Sequence, residues 1–360
     1  MDKTGKRTER MPWLDWAKGF AMLLVLIGHS MRDEMRQSAP ALDMIYRIAY
    51  IFHMSYFFWI SGYGYWFSRA RGRQPLEILR RRLKKQLLPW LLYALFIYAA
   101  FMAAIRVPAL EKTLSAAGYA SLPFLSYLAQ TLQANNPWAY HLWFLYVLML
   151  LTVILTLADG LTGGRHTKGV CAALVAVGIA GLAARSFLNV GEWWRLYDYL
   201  TLYLPMICLG ALMADWQPKD WIVWLWGGLG IAYILVRAFF FSGFSGNSLR
   251  VEGVARFIVY LLADALLPGV MLLLNRVFQR QWLPGTSAGK AFLGFLGRES
   301  MTIYLVHQPF CCAFLGLILY NRMHIPAVPT MIVCLAVSVA VSWAAVKLLS
   351  IFRARRLKEG

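Results

Sequence analysis

Ten apolar stretches, all but the short sixth one long enough to span a lipid bilayer, constrain this chain more than any other feature of its sequence. A transmembrane helix needs roughly 20 consecutive apolar residues, and 60% of the 360 residues are apolar. A soluble domain of this size would have to expose much of that apolar surface to water. The sequence therefore predicts an all-α integral membrane protein with about ten transmembrane helices, near 13–30, 43–67, 87–105, 140–158, 170–187, 199–214, 220–241, 254–275, 299–320 and 327–350.

The positions of the cationic residues predict the topology. Lys and Arg concentrate in the cytoplasmic segments of membrane proteins. If the N-terminus is cytoplasmic, the segments on that side hold more than twice as many Lys and Arg residues as the opposite loops. Ten helices then leave both termini in the cytoplasm. The same asymmetry explains most of the net charge of +19, so the charge indicates a lipid bilayer and no nucleic-acid partner.

The chain is predicted to form one membrane domain. Residues 1–12 are read as a polar, basic cytoplasmic tail, residues 13–352 as a single domain, and residues 353–360 as a second basic cytoplasmic tail. The first apolar run is too long for the core of a signal peptide, so it is predicted to be the first helix. The five cysteines all lie inside apolar runs without metal-site spacing, which predicts small buried side chains and no metal site.

Three ionisable residues on the first predicted helix are the strongest candidates for chemistry. Lys18 and His29 are 11 residues apart, which places them on one face about 16.5 Å apart along the helix axis. Asp15 lies about 40° from His29 around the same helix. One elongated ligand with an anionic end could contact both Lys18 and His29. The alternative is that Lys18 extends to the membrane surface and His29 is a packed, hydrogen-bonded histidine.

A basic segment after the second predicted helix is a candidate phosphate site. Arginine side chains suit phosphate because their N–H groups form a planar fork. Cytoplasmic topology alone explains about half of these cations. The predicted phosphate-binding residues are Arg80, Arg81, Arg82, Lys84 and Lys85.

Further polar residues inside predicted helices are candidates for the acceptor side of a site. Polar groups inside a membrane are costly and therefore indicate function by default, although a buried histidine is often only structural. Arg237 and Asp264 are also charges inside predicted helices and could be partners. The acceptor-side candidates are His53, His141, Glu299, Ser300, Tyr304 and His307, of which Ser300, Tyr304 and His307 share one helical face.

Five segments together resemble the acyltransferase-3 family of membrane acyltransferases, and within it the branch similar to fucose 4-O-acetylase. The resemblance covers nearly the whole chain and keeps the order of the family's segments. Lys18 and His29 match its signature of a basic residue and a histidine separated by ten positions. The segments are LDWAKGFAMLLVLIGHS, FHMSYFFWISGY, RRRLKKQLLP, HLWFL and ESMTIYLVHQPF.

The resemblance implies an acyltransferase in the inner membrane of a bacterium. It implies an acyl-CoA donor, here expected to be acetyl-CoA, at the cytoplasmic face and a sugar hydroxyl of an envelope or secreted glycan as acceptor. His29 would be the essential histidine. Arg82 with Lys85 resembles the family's Arg-x-x-Arg element, with Lys85 standing where Arg is usual.

These residues suggest a mechanism in which His29 acts as general base on the acceptor hydroxyl. The predicted catalytic residues are His29 and Asp15, and Lys18 and the basic segment would bind the donor. A covalent acetyl-His29 relay is the alternative within the same activity. Tyr304 and Ser300 are candidates for stabilising the oxyanion.

A transporter or flippase of a lipid-linked sugar or an anionic ligand is the rival interpretation from another class. It explains the helices, the charges inside them and the basic segments equally well. It does not explain the spacing of Lys18 and His29 or the number of matching segments. Turnover of a CoA thioester by the purified protein would distinguish the two.

Overall fold

The structure, a computed structural model, describes residues 11–116, 119, 121–185, 191–243 and 249–359. Within these residues the chain is helical, with one isolated β-bridge between Ser242 and Leu249 and no further strand pairing. The helices are α1 (Pro12–His29), α2 (Asp33–Ser38), α3 (Pro40–Ala70), α4 (Pro75–Ile105), α5 (Pro108–Ala116), α6 (Phe124–Leu132), α7 (Trp143–Leu161), α8 (Thr167–Ala184), α9 (Trp194–Leu212), α10 (Asp220–Val236), α11 (Gly253–Gln279), α12 (Ser287–Arg298), α13 (Ser300–Val306) and α14 (Ala327–Glu359).

Seven helical segments in the described ranges are long and apolar enough to cross a membrane, so the protein is a multi-pass membrane protein. They correspond to seven of the ten predicted helices. The count of ten and the cytoplasmic position of the termini stay predictions. The seven segments are Pro75–Ile105, Tyr140–Leu161, Thr167–Ala184, Asp220–Phe241, Gly253–Gln279, Ser300–Arg322 and Ala327–Ile351.

The other three predicted spans coincide with helices that carry more polar side chains. These are α1, α3 and α9, which are 18, 31 and 19 residues long. Asp15 and Lys18 lower the apolar character of α1, and Arg195 and Asp198 do so in α9. Charged side chains inside a membrane usually face the protein interior and mark function. Two of these three helices, α1 and α3, carry the predicted site residues His29 and His53.

The chain folds into two compact units, and the boundary between them falls within α3. Unit 1 comprises residues 1–60 and 216–360, and unit 2 comprises residues 61–215. In unit 1, α1 packs against α11, α12, α13 and α14, and α10 packs along α11. In unit 2, α4 packs against α7, and α8 packs against α9. The prediction of one functional domain over 13–352 stays a prediction.

The cysteines confirm their predicted burial. All five are free thiols in buried positions. The Cys312 thiol lies 3.0 Å from the Ser338 hydroxyl and 3.7 Å from the Ser30 hydroxyl. Ser30 is the residue that directly follows His29. These side chains fill the unit 1 interior beside the end of α1.

Two glycines bring the backbones of α1 and α12 into direct contact. A β-carbon on Gly19 would lie 2.0 Å from the Leu293 carbonyl oxygen. A β-carbon on Gly297 would lie 1.8 Å from the Asp15 carbonyl oxygen and 3.0 Å from the Gly19 nitrogen. Helices in membranes approach this closely where small residues face each other. The two glycines therefore determine where α12 crosses α1.

We expect Gly297→Ala to lower the melting temperature of the purified protein. The added methyl group would clash with backbone atoms of α1, and overpacking of this kind costs about 1–3 kcal/mol. The matched control is Gly228→Ala on α10, where a β-carbon would meet nothing within 4 Å. Thermal unfolding in detergent measures both variants. Equal melting temperatures would contradict a tight crossing at Gly297.

Candidate active site

His29 ends α1 in unit 1, and its ring lies beside two other histidines and a tyrosine. The His29 and His307 ring centroids are 5.1 Å apart, and the His29 and Tyr50 centroids are 6.3 Å apart. The Tyr50 ring meets the His53 ring edge-on at 4.7 Å. We call His29, Tyr50, His53 and His307 the histidine cluster. The structure thus brings together three of the histidines singled out in the sequence.

The contact between His29 and His307 follows from the crossing at the two glycines. His29 lies ten residues beyond Gly19, and His307 lies ten residues beyond Gly297. Helices rise 1.5 Å per residue, so both histidines lie about 15 Å beyond the crossing. Because α1 packs along both α12 and α13, the two rings reach the same level.

Backbone hydrogen bonds orient His53 and His307. The Nδ1 atom of His53 lies 2.7 Å from the Ala49 carbonyl oxygen, and Nδ1 of His307 lies 3.0 Å from the Ile303 carbonyl oxygen. A carbonyl oxygen only accepts hydrogen bonds, so each Nδ1 carries a proton and donates it. Both rings are buried. His53 and His307 are therefore held in fixed orientations by their own helices.

His29 differs from these two histidines. Its side chain is half-buried, and no hydrogen bond engages its ring among the residues that the structure describes. It contacts the cluster through ring packing with His307 and Tyr50. The His29 ring nitrogens therefore remain available for exchanging a proton with a ligand.

The ninth predicted helix departs from regular α-helix at the histidine cluster. The α-helical path of α13 ends at Val306, and a π-helical segment runs over His307–Phe314, with Gln308 at φ −124° and ψ 149°. Pro309 explains the break, because proline lacks an N–H donor and disfavours α-helical geometry in the preceding residue. Despite this break, Tyr304 of α13 lies beside His307, as expected for residues on one helical face. Tyr304 is buried, and its ring centroid is 6.0 Å from that of His307.

Ser300 and Glu299 lie farther from the cluster than Tyr304. Ser300 is the first residue of α13 and Glu299 directly precedes it. Seven residues separate Ser300 from His307, which corresponds to about 10 Å along a helix. Roles for Ser300 and Glu299 at the acceptor stay predictions.

Tyr46, Tyr50 and Arg36 form an aromatic stack that the sequence analysis missed. It continues the histidine cluster on the side away from the N-terminal end of α1. The Tyr46 and Tyr50 rings stack at 3.8 Å, and the Arg36 guanidinium carbon lies 3.7 Å from the Tyr46 ring centroid. Arg36 also pairs with Asp43 at 3.2 Å. The spacing of Tyr46, Tyr50 and His53 places them on one helical face, and that spacing could have revealed the stack.

Lys18 and Asp15 lie near the other end of α1. The helix is continuous over Pro12–His29, which confirms that one helix carries all three ionisable residues. Lys18 and His29 are therefore about 16.5 Å apart along the axis, and Asp15 and His29 about 21 Å. Asp15 cannot contact the His29 ring at that distance. Its catalytic role stays a prediction, and it would act at the Lys18 end.

The predicted phosphate-binding residues lie in unit 2 near the start of α4. Arg80, Arg81, Lys84 and Lys85 are exposed, and Arg81 pairs with Glu77 at 2.7 Å. Arg82 turns inward instead: its Nη2 donates to the Ser61 carbonyl oxygen at 3.0 Å. The exposed cations are accessible to a phosphate ligand, whereas Arg82 is partly engaged by the protein. Donor binding by this segment stays a prediction.

His141 also belongs to unit 2. It is buried in the turn before α7, and its ring meets the Tyr93 ring edge-on at 6.1 Å. Beside it, the Trp143 and Tyr199 rings stack at 4.0 Å. His141 thus lies in an aromatic environment, and its predicted role at the acceptor is not tested by these contacts.

A buried ion pair that the sequence did not reveal connects three helices of unit 2. Asp159 is fully buried and accepts hydrogen bonds from Arg69 Nε at 2.8 Å, from the Tyr65 hydroxyl at 2.6 Å and from the Thr167 hydroxyl at 2.8 Å. These residues lie on α3, α7 and α8. Asp159 therefore joins the ends of these helices.

Comparison with known proteins identifies the family of this chain. The family model described as an acyltransferase domain, Acyl_transf_3, matches residues 11–347. The chain therefore belongs to the acyltransferase-3 family. No curated protein and no solved structure matches it. The match supports membrane acyltransferase activity and leaves the branch within the family undecided.

We expect Asp159→Asn to destabilise the protein strongly. Removing the charge leaves Arg69 buried without its counter-ion, and breaking a buried pair costs about 3–5 kcal/mol. The matched control is Asp215→Asn, which removes the exposed pair between Asp215 and Lys168 at 2.7 Å and should cost under about 1 kcal/mol. Thermal unfolding measures both. Similar losses for the two variants would contradict the structural role of Asp159.

Proposed function

We propose that the protein transfers an acetyl group from acetyl-CoA to a hydroxyl of a sugar in a cell-envelope or secreted glycan. The observation that carries this proposal is the half-buried ring of His29, which ends α1 beside the rings of His307 and Tyr50. Membership of an acyltransferase family supplies the reaction class. The protein would act in the inner membrane of a bacterium, with both termini cytoplasmic.

His29 would act as the general base of the transfer. It takes the proton from the acceptor hydroxyl while the hydroxyl oxygen bonds to the acetyl carbonyl carbon. The carbon–sulfur bond of the thioester then breaks, and the proton passes to the departing thiolate. A neutral imidazole suits this step because it accepts a proton near physiological pH. His53 and His307, held by backbone carbonyls, would position His29 and the acceptor.

The donor would approach from the Lys18 end of α1. Lys18 and His29 lie about 16.5 Å apart on one helix, a spacing that suits a ligand with anionic phosphates at one end and a thioester at the other. Lys18 would meet the phosphates. In unit 2, the exposed cations Arg80, Arg81, Lys84 and Lys85 and the partly buried Arg82 are the other candidates for donor binding.

The acceptor would enter at the opposite end of α1. An open cavity of about 630 Å³ lies there in unit 1, within the usual size range of small-molecule sites. Its lining residues Tyr320 and Ala327 pack in the same apolar cluster as Tyr46 and Tyr50. Tyrosine rings suit the apolar faces of sugars. The cavity is lined by Ser38, Ala39, Tyr320, Asn321, His324, Ile325, Pro326, Ala327 and Val328.

We expect His29→Ala to lower acetyl transfer about 10²–10⁴-fold, the usual contribution of a general base. The measurement is transfer of radiolabel from acetyl-CoA to a panel of envelope sugars by the purified protein. The matched control is His166→Ala, which changes an exposed histidine in the loop before α8 and should leave transfer unchanged. Both variants should melt like the wild type.

The outcomes separate the acyltransferase from a transporter. Wild-type turnover by His29→Ala would contradict the base assignment. A wild-type protein that neither binds nor turns over acetyl-CoA would contradict the proposed function and favour transport of a lipid-linked sugar or an anion.

We expect Lys18→Ala to raise the KM for acetyl-CoA at least about tenfold while the acceptor KM stays within a factor of two. The loss of one charge-assisted hydrogen bond to phosphate, about 1.5–3 kcal/mol, would account for this change. Lys18→Arg keeps the charge and should restore most of the affinity. An unchanged donor KM in Lys18→Ala would show that phosphate binding lies elsewhere.

A further inference from the structure

Arg237 and Asp264 are two buried charged residues in unit 1 that the proposed mechanism does not use. Arg237 directly follows α10 and is 3% exposed, and Asp264 lies on α11 and is 6% exposed. Charges this deep in a membrane protein are costly unless they are paired or bind a ligand. The suggestion from the sequence that they pair is not supported, because the described contacts include no ion pair between them.

The Arg237 guanidinium has capacity for a further acceptor. Its Nη1 donates to the Tyr233 hydroxyl at 3.3 Å, and its carbon lies 5.3 Å from the Tyr260 ring centroid. Its Nε is buried and has no hydrogen-bond partner among the described residues. Arg237 also begins a π-helical turn, Arg237–Phe241, and such turns are frequent at functional sites.

The Asp264 carboxylate lacks hydrogen bonds altogether within the part of the chain that the structure describes. Both of its oxygens are buried without a partner. Buried polar groups are nearly always hydrogen-bonded in native proteins, so an exception needs an explanation. A ligand that donates to Asp264 would provide one.

Arg237 and Asp264 lie at similar levels of the interface between α10 and α11. Gly227 packs against Leu273, and Gly230 packs against Val270 and the Leu266 carbonyl oxygen, so the two helices run in opposite directions. Seven residues lead from Gly230 to Arg237, and six lead from Val270 back to Asp264. Equal rises per residue therefore bring the two side chains to within about one helical turn of each other along the interface.

This part of the interface lies close to the aromatic stack of the candidate active site. The Tyr56 hydroxyl donates to Asn275 Oδ1 at 2.9 Å, and Arg47 donates to the Ser242 carbonyl oxygen at 3.3 Å. The hydrogen bond between Tyr56 and Asn275 aligns α3 with α11. The hydrogen bond from Arg47 reaches Ser242, the residue that follows the π-helical turn Arg237–Phe241. Counting eleven residues back from both Tyr56 and Asn275, Asp264 lies level with Ile45, which directly precedes Tyr46 of the aromatic stack.

The hydrogen-bonding capacity of the two side chains selects the ligand. A ligand group that only accepts hydrogen bonds would leave Asp264 unsatisfied, and one that only donates would leave Arg237 unsatisfied, whereas a hydroxyl group donates to the one and accepts from the other. We propose that Arg237 and Asp264, with Tyr260 beside Arg237, form a binding subsite for neutral hydroxyl groups of the acceptor sugar. This inference rests on the proposed function and names the residues that recognise its acceptor.

The test is the effect of Asp264→Asn on acceptor kinetics. The probes are the methyl glycosides of fucose, glucose, galactose and N-acetylglucosamine, with glucuronate as an anionic comparison. We expect the acceptor KM for the best glycoside to rise at least tenfold. The KM for acetyl-CoA and the slow hydrolysis of acetyl-CoA without acceptor should stay unchanged, and glucuronate should be a poor acceptor. Asp215→Asn is the matched control.

Arg237→Lys provides a second variant that keeps the charge and removes the guanidinium fork. It should raise the acceptor KM in the same way, and stabilisation of the protein by the glycoside in thermal unfolding should be lost in both variants. Wild-type acceptor KM and wild-type stabilisation in the variants would overturn the subsite. A wild-type protein without any acetyl-CoA turnover would instead contradict the proposed function, and glycoside stabilisation would still test the subsite.

Discussion

The backbone contact between α1 and α12 at Gly19 and Gly297 determines how the rest of unit 1 is arranged. Neither helix could approach the other so closely with a larger residue at these positions. Ten residues lead from this crossing to His29 along α1, and ten lead to His307 through the end of α12 and along α13, and the two rings meet at 5.1 Å. The positions of the candidate base and of its neighbour are therefore consequences of helix packing and need no direct bond between the two residues.

The cost of burying polar groups in a membrane explains where these side chains lie. Unit 1 carries them on α1, on the first part of α3, at the end of α10, and on α11 and α13. Of these helices, α11 packs against both α1 and α10, and α13 packs against α1. His53 and His307 satisfy one nitrogen each with a carbonyl of the same helix. This solution requires no partner from another element, because an α-helix offers a carbonyl oxygen one turn before each side chain. Among the described contacts, His29 is the histidine of the cluster whose ring is not engaged in this way.

Much of the fold and the central residue of the site could be predicted from the sequence. The long apolar runs predicted helices that the structure contains, and the spacing of Lys18 and His29 required a continuous helix, which α1 is. The aromatic stack on Arg36 and the ion pair at Asp159 could not be predicted, because they depend on contacts between residues far apart in the chain. The break after Val306 had a local signal in Pro309, but its position at the histidine cluster appears only in three dimensions.

The equal spacing from each glycine to its histidine has a consequence for how such a chain can change during evolution. One residue inserted between Gly19 and His29 would turn the imidazole by about 100° and move it by 1.5 Å, while the opposite helix stayed in place. Insertions should therefore be excluded from these two ten-residue segments and tolerated in the loops. Related chains that keep the reaction should vary in loop length and composition but hold both distances constant.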